Sequence, residues 1–138
     1  FINCSRGPVM QDGPLLDALR KGHIAYAAID TWNHEPGIDR ELLARAFCAT
    51  PHIAGYSVQG KAAGTAAVVR SVSELYGLPL TEWYPPQVTP TGPVGHMGGL
   101  QRSLPRYFDI EAETTYLKQH PERFEELRNN YPYRTEYF

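Results

Sequence analysis

Cysteine is scarce: Cys4 and Cys48 are the only two in 138 residues, too few for a disulfide framework. Both stand beside apolar residues in strand-like stretches, which predicts buried, reduced thiols. Long apolar runs are lacking too. None could span a bilayer, and the start Phe1-Ile2-Asn3-Cys4 carries no basic leader ahead of an apolar block, so neither membrane insertion nor secretion is expected. Charge of one sign is also missing. The formal net charge is -2 and no stretch concentrates Lys and Arg, which leaves no electrostatic footprint for nucleic acid or an anionic membrane. A small-molecule or protein partner and a cytoplasmic setting remain as expectations. Metal spacing is absent, since His34 and His52 lack a third ligand and His23, His96 and His120 are scattered, so no metal is expected. Gly95-His96-Met97-Gly98-Gly99 does not satisfy G-x-G-x-x-G and has no strand ahead of it, so it reads as a loop.

What is present is an alternation of short apolar strands and amphipathic helices. Phe1-Ile2-Asn3 reads as the end of a buried strand. A helix follows from Asp12, with Pro14 in its first turn and Leu15, Leu16 and Leu19 on its apolar face, and Gly22 ends it. His23 to Asp30 is almost unbroken apolar sequence, as a strand covered on both faces requires. Asp39 begins a second helix with Leu42, Leu43, Ala46 and Phe47 on one side, and Cys48-Ala49-Thr50 is a third strand stopped by Pro51. Strand, helix, strand, helix, strand with short connections is an α/β pattern, and right-handed crossovers make the three strands parallel. A long helix over 58–76 carries Ala62, Ala66, Val69 and Tyr76 on one face and stops at Gly77. The proline-rich 78–95 segment is a linker or arm, Leu104 to Gln119 and Pro121 to Asn130 are helical, and Tyr131 to Phe138 reads as an edge strand. The divisions expected are 1–57, 58–78 and 79–138. A chain of 42% hydrophobic residues that opens in an apolar strand without Met predicts one modest core with an extension, as a piece of something longer.

Three reactive side chains, Arg6, Glu35 and His52, each follow one of the three expected strands. In a parallel sheet the carboxyl ends share one edge, where ligands bind in doubly wound folds. Arg6 can grip a carboxylate through paired charge-assisted hydrogen bonds. An imidazole suits proton transfer near neutral pH, so His52 can take or return a hydroxyl proton, while a carboxylate at Glu35 would orient the ring. Each alone has an ordinary alternative: a solvated Arg, a loop Glu, a structural His. Their common sheet edge is what makes them a constellation suited to an α-hydroxy or α-keto acid.

The wording of the blocks adds to this. Phe1-Ile2-Asn3-Cys4-Ser5-Arg6-Gly7-Pro8, Ile29-Asp30-Thr31-Trp32 with Glu35-Pro36, and Thr50-Pro51-His52-Ile53-Ala54-Gly55 resemble three ordered blocks of the D-isomer-specific 2-hydroxyacid dehydrogenases. The resemblance implies a Rossmann-type doubly wound parallel sheet, of which this chain carries the C-terminal part, plus a long helix and an α+β C-terminal dimerisation extension. It implies NAD as cofactor, Arg6 on the substrate carboxylate, His52 as acid/base and Glu35 as its support. Coenzyme contacts are implied at Cys4, Ser5, Arg6, Asp30 and Gly55. Tyr56, together with Gly60-Lys61-Ala62, resembles a branch in which a tyrosine after the glycine touches a phosphorylated 2-hydroxy acid, and that branch is a homodimer through its extension. The pyrophosphate turn lies upstream in this family, so the 138 residues alone are not expected to turn over. Two further readings stay open: a family member acting on another acid such as 3-phosphoglycerate, and a non-catalytic NAD-responsive dimerisation protein.

Overall fold

The computed structural model describes residues 1–89 and 108–136, in two packed units. Residues 95–99, the start of the helix expected from Leu104, and the last two residues of the tail lie outside the described residues.

The first unit, residues 1–54 with 108–131, is a parallel three-stranded sheet in the order β1 (Ile2–Asn3), β2 (Ala28–Ile29), β3 (Cys48–Ala49). Of the run His23 to Asp30, expected as a strand covered on both faces, only Ala28–Ile29 forms the central strand; residues 23–27 form none, and Ala25 and Tyr26 are exposed. The ladder is short, but it continues past the strand ends. Asp30 N donates to Asn3 O at 2.9 Å, and His52 N donates to Asp30 O at 2.8 Å.

Helix α1 (Asp12–Arg20) starts one residue earlier than a cap at Asp12 would place it, with Gln11 at the cap and Asp12 inside the first turn. Helix α2 (Arg40–Arg45) is capped as expected, the Asp39 carboxylate accepting from Leu42 N at 2.8 Å. Phe47 does not share the buried face of α2. The helix ends at Arg45, and Phe47 lies past its end, exposed and edge-on to Tyr26. Cys4 is likewise exposed rather than buried, because β1 ends at Asn3 and Cys4 rides on the turn; both thiols are free.

The core gathers Leu15, Ile29, Trp32, Ile38, Leu42 and Leu43 from the first half of the chain with Leu117 and Phe124 from the second. These last two belong to α4 (Ile110–Gln119) and α5 (Phe124–Asn129), joined by a 3-10 turn at Pro121–Arg123. Thr114 of α4 accepts a hydrogen bond from Ala49 N at 3.0 Å, so a side chain takes the donor that β3 turns away from the ladder. Lys118 Nζ donates to Ala46 O at 2.6 Å, a cation on the carbonyl end of α2, where the helix dipole favours it. Residues 108–131, expected within the C-terminal extension, thus complete the layer over the sheet.

The second unit, residues 55–89 with 132–136, is built on α3 (Val58–Tyr76). Ser57 caps it by accepting from Gly60 N at 2.9 Å, and Gly77 closes it at φ +65°, a conformation that glycine adopts without steric cost. Ala62 and Ala66 are buried as expected. Tyr76 is exposed, because the chain turns at Gly77 back onto Ser73, whose hydroxyl accepts from Leu80 N at 2.9 Å. The arm that follows forms no helix or strand through residue 89. Among the described residues the tail, expected as an edge strand, makes one isolated parallel bridge, Ser57 to Arg134. Ser57 is already the helix cap, so too little extended chain remains there for a ladder to grow. No helix among the described residues is long and apolar enough to cross a membrane.

Candidate active site

The turn that carries Arg6 is tied to the loop that carries Glu35. Asn3, buried at the end of β1, donates from Nδ2 to Arg6 O and to Thr31 O, both at 3.1 Å. Its Oδ1 accepts from Ser5 N at 3.2 Å and from Ser5 Oγ at 3.0 Å. Gly7 completes the join by packing directly on backbone. A Cβ there would lie 2.0 Å from Trp32 O, so no larger residue fits. Arg6 itself is exposed, and among the described residues no carboxylate lies in ion-pair range of it.

The Glu35 loop is locked to the His52 loop by Trp32. Its ring is buried, and the indole N–H donates to Thr50 O at 3.0 Å. Its backbone N–H donates to Glu35 Oε1 at 2.8 Å, which turns the other carboxylate oxygen toward the imidazole: His52 Nδ1 stands 2.8 Å from Glu35 Oε2. An ionised carboxylate only accepts, so Nδ1 carries the hydrogen of that bond and Nε2 is the ring nitrogen left for other chemistry. The pair is mostly screened from water, with side chains 21% and 17% exposed for His52 and Glu35.

Asp30 holds the His52 loop in shape. It is buried, and its Oδ1 accepts from Thr50 Oγ1 at 2.7 Å, Ile53 N at 2.7 Å and Ala54 N at 3.1 Å. This grip sustains a left-handed backbone at His52, φ +59°, which a residue with a Cβ seldom adopts. The Cys4 thiol is pushed up from its ordinary range by partial burial and by the Asp30 charge, so Cys4 stays protonated at neutral pH.

Residues 1–54 match the model of the D-isomer specific 2-hydroxyacid dehydrogenase NAD binding domain. Their likeness is to a coenzyme-binding domain. Similarity runs further along the chain. It is 42% identical over 98% of its length to an erythronate-4-phosphate dehydrogenase of Bacteroides thetaiotaomicron, covering 38% of that protein. Erythronate-4-phosphate dehydrogenases of Bacteroides fragilis and Pectobacterium atrosepticum are 38% and 37% identical over 99% of the chain, which covers 39% of each. The chain thus spans about two fifths of the length of these curated relatives.

Of the residues expected from sequence, the structure brings Glu35 and His52 into contact and holds Arg6 on the same sheet edge. Asp30, expected as a coenzyme contact, is seen anchoring the His52 loop. Gly55 and Tyr56 fall in the second unit, where Tyr56 packs edge-on to Tyr133 at 5.5 Å and under the Lys61 ammonium at 4.6 Å. Sequence reasoning missed Asn3, Gly7, Trp32 and Arg128. The first three stand inside the quoted blocks and could have been read as joints. Arg128, whose Nη1 lies 3.7 Å from Glu35 Oε2, stands in a charged helix with nothing local to mark it.

Proposed function

We propose that the complete gene product carrying this chain oxidises a phosphorylated 2-hydroxy acid, 4-phospho-D-erythronate, to the 2-oxo acid with NAD, within pyridoxal 5'-phosphate synthesis in the cytoplasm. The observation that carries the reading is the Glu35–His52 pair, 2.8 Å apart on the sheet edge that also bears Arg6. The names of the relatives support the substrate, and the family of residues 1–54 supports the coenzyme.

In this reading Arg6 binds the substrate carboxylate through its two-pronged guanidinium, which orients the hydroxyl-bearing carbon. His52 takes the hydroxyl proton on Nε2, and Glu35 accepts from Nδ1, favouring the imidazolium that results and holding the ring plane. Tyr56 contacts the substrate. The donor set fits a dinucleotide: Cys4, Ser5 and Arg6 are exposed on the turn after β1, and Gly55 follows the His52 loop. These residues, with Asp30, would hold the coenzyme. NAD, when bound, supplies the hydride acceptor. Residues 79–138 are proposed to contribute to a homodimer, which the exposed Tyr133 supports and a hydrodynamic mass of the complete gene product would test.

The test is NADH formation by the complete gene product with 4-phospho-D-erythronate, 3-phosphoglycerate and D-lactate, beside a His52→Ala variant. Turnover of the first acid, lowered about 10²–10⁴-fold by the substitution, is the expected result. Preference for 3-phosphoglycerate or D-lactate would discard the substrate while keeping the chemistry. No turnover of any of them would leave the non-catalytic reading ahead.

A further inference from the structure

Glu35 does not serve His52 alone. Its Oε2 faces His52 Nδ1 at 2.8 Å and Arg128 Nη1 at 3.7 Å, so one oxygen is shared by an imidazole from the loop after β3 and a guanidinium from α5. Arg128 comes from α5, which Phe124 anchors in the core, and the two residues join Glu35, Pro36 and Glu125 around a cavity of about 110 Å³. The placement is not an incidental surface pairing. Arg128 Nε is buried and makes no hydrogen bond among the described residues, a costly arrangement for a guanidinium that charge attraction to Glu35 offsets.

We infer that Arg128 is a positioning residue that sets the proton equilibrium of His52 by sharing the Glu35 carboxylate. The inference rests on the proposed acid/base role of His52. The charged groups facing Glu35 are His52 from the loop after β3 and Arg128 and Glu125 from α5, with His34 beside it on its own loop. With Arg128 present, the carboxylate keeps a cation beside it when the imidazole is neutral. Without Arg128, neutral His52 would leave Glu35 uncompensated in a mostly buried site, and the pair would hold the proton instead. Arg128 thus favours the neutral imidazole, the form that accepts a proton from a hydroxyl acid. Glu125 is exposed and opposes this weakly.

The sign is testable. In Arg128→Met, which keeps an apolar stem beside Phe124 but loses the charge, the acid limb of kcat/KM for hydroxy acid oxidation should move to higher pH by about one unit, a roughly tenfold loss on that limb. The alkaline limb of 2-oxo acid reduction should move the same way, and Arg128→Lys should restore much of both. A direct readout needs no turnover: the His52 ring is followed through a pH titration by NMR, assigned with His52→Ala, and its midpoint should rise in Arg128→Met. Arg128→Gln replaces the methionine variant if that one does not fold by circular dichroism. An unchanged His52 midpoint, or equal losses in the methionine and lysine variants with unchanged pH dependence, overturns the inference. Inactivity of the wild type toward all the acids would instead count against the proposed function, and the NMR midpoint would still decide the role of Arg128.

Discussion

Asp30→Ala tests whether the His52 loop owes its shape to one buried carboxylate. The substitution removes the acceptor of three hydrogen bonds, from Thr50 Oγ1, Ile53 N and Ala54 N. Hydrogen bonds to a charged group contribute about 1.5–3 kcal/mol each. The full sum will not appear, because the Thr50 hydroxyl can rotate and water can enter the space left by the side chain. An opening cost reduced by about 3 kcal/mol, roughly 150-fold in exchange rate, is the expected outcome for the Ile53 and Ala54 amides. Hydrogen exchange of the complete gene product, read residue by residue, measures it. Asp30→Asn keeps an acceptor oxygen and should lose only about 1 kcal/mol. The left-handed backbone at His52 makes the loop sensitive, so turnover should fall in parallel with protection. A change in exchange under about threefold in Asp30→Ala would show that other contacts hold the loop, and the reasoning would fail.

Three further outcomes follow from the packing. Gly7→Ala must push its Cβ off Trp32 O, 2.0 Å away, and should cost about 1–3 kcal/mol in thermal or urea unfolding, with a loss below 0.5 kcal/mol refuting the close approach. Phe124→Ala, at a ring 1% exposed in the sheet's own core, should cost about 3–5 kcal/mol, whereas a nearly neutral result would mean that α5 does not belong to that core. Cys4 is exposed but its thiol is raised by partial burial and by Asp30, so its alkylation rate should keep climbing above about pH 8.5, where an ordinary thiol approaches its midpoint. A rate that levels off below that pH would contradict the assignment.

The elements legible beforehand are those whose cause is local. Gly77 stands at the end of α3 and acts on the backbone within a few residues of itself. Asp39 does the same for α2. The apolar run before Asp30 predicted a central strand, which Ala28–Ile29 supplies, and parallel strands then put Arg6, Glu35 and His52 on one edge without any knowledge of distances. Misreadings came where a helix or strand ended earlier than its apolar pattern did, as at Phe47 and in the tail around Arg134. Periodicity records which residues prefer burial. It does not record where the hydrogen-bonded repeat stops.

By itself, then, the sequence determined the order of strands and helices, the sheet edge that bears the reactive side chains, and the family model that residues 1–54 match. The tertiary structure alone decided that a helix more than sixty residues away in the chain caps β3 through Thr114, that Trp32 and Asp30 brace the His52 loop, and that Arg128 reaches Glu35. The reason is the range of the forces involved. Caps, turns and binary patterns act over a few residues and are written in order along the chain. Burial and charge pairing act between whatever surfaces the fold brings together, and nothing in the text of α5 says which carboxylate its arginine will meet.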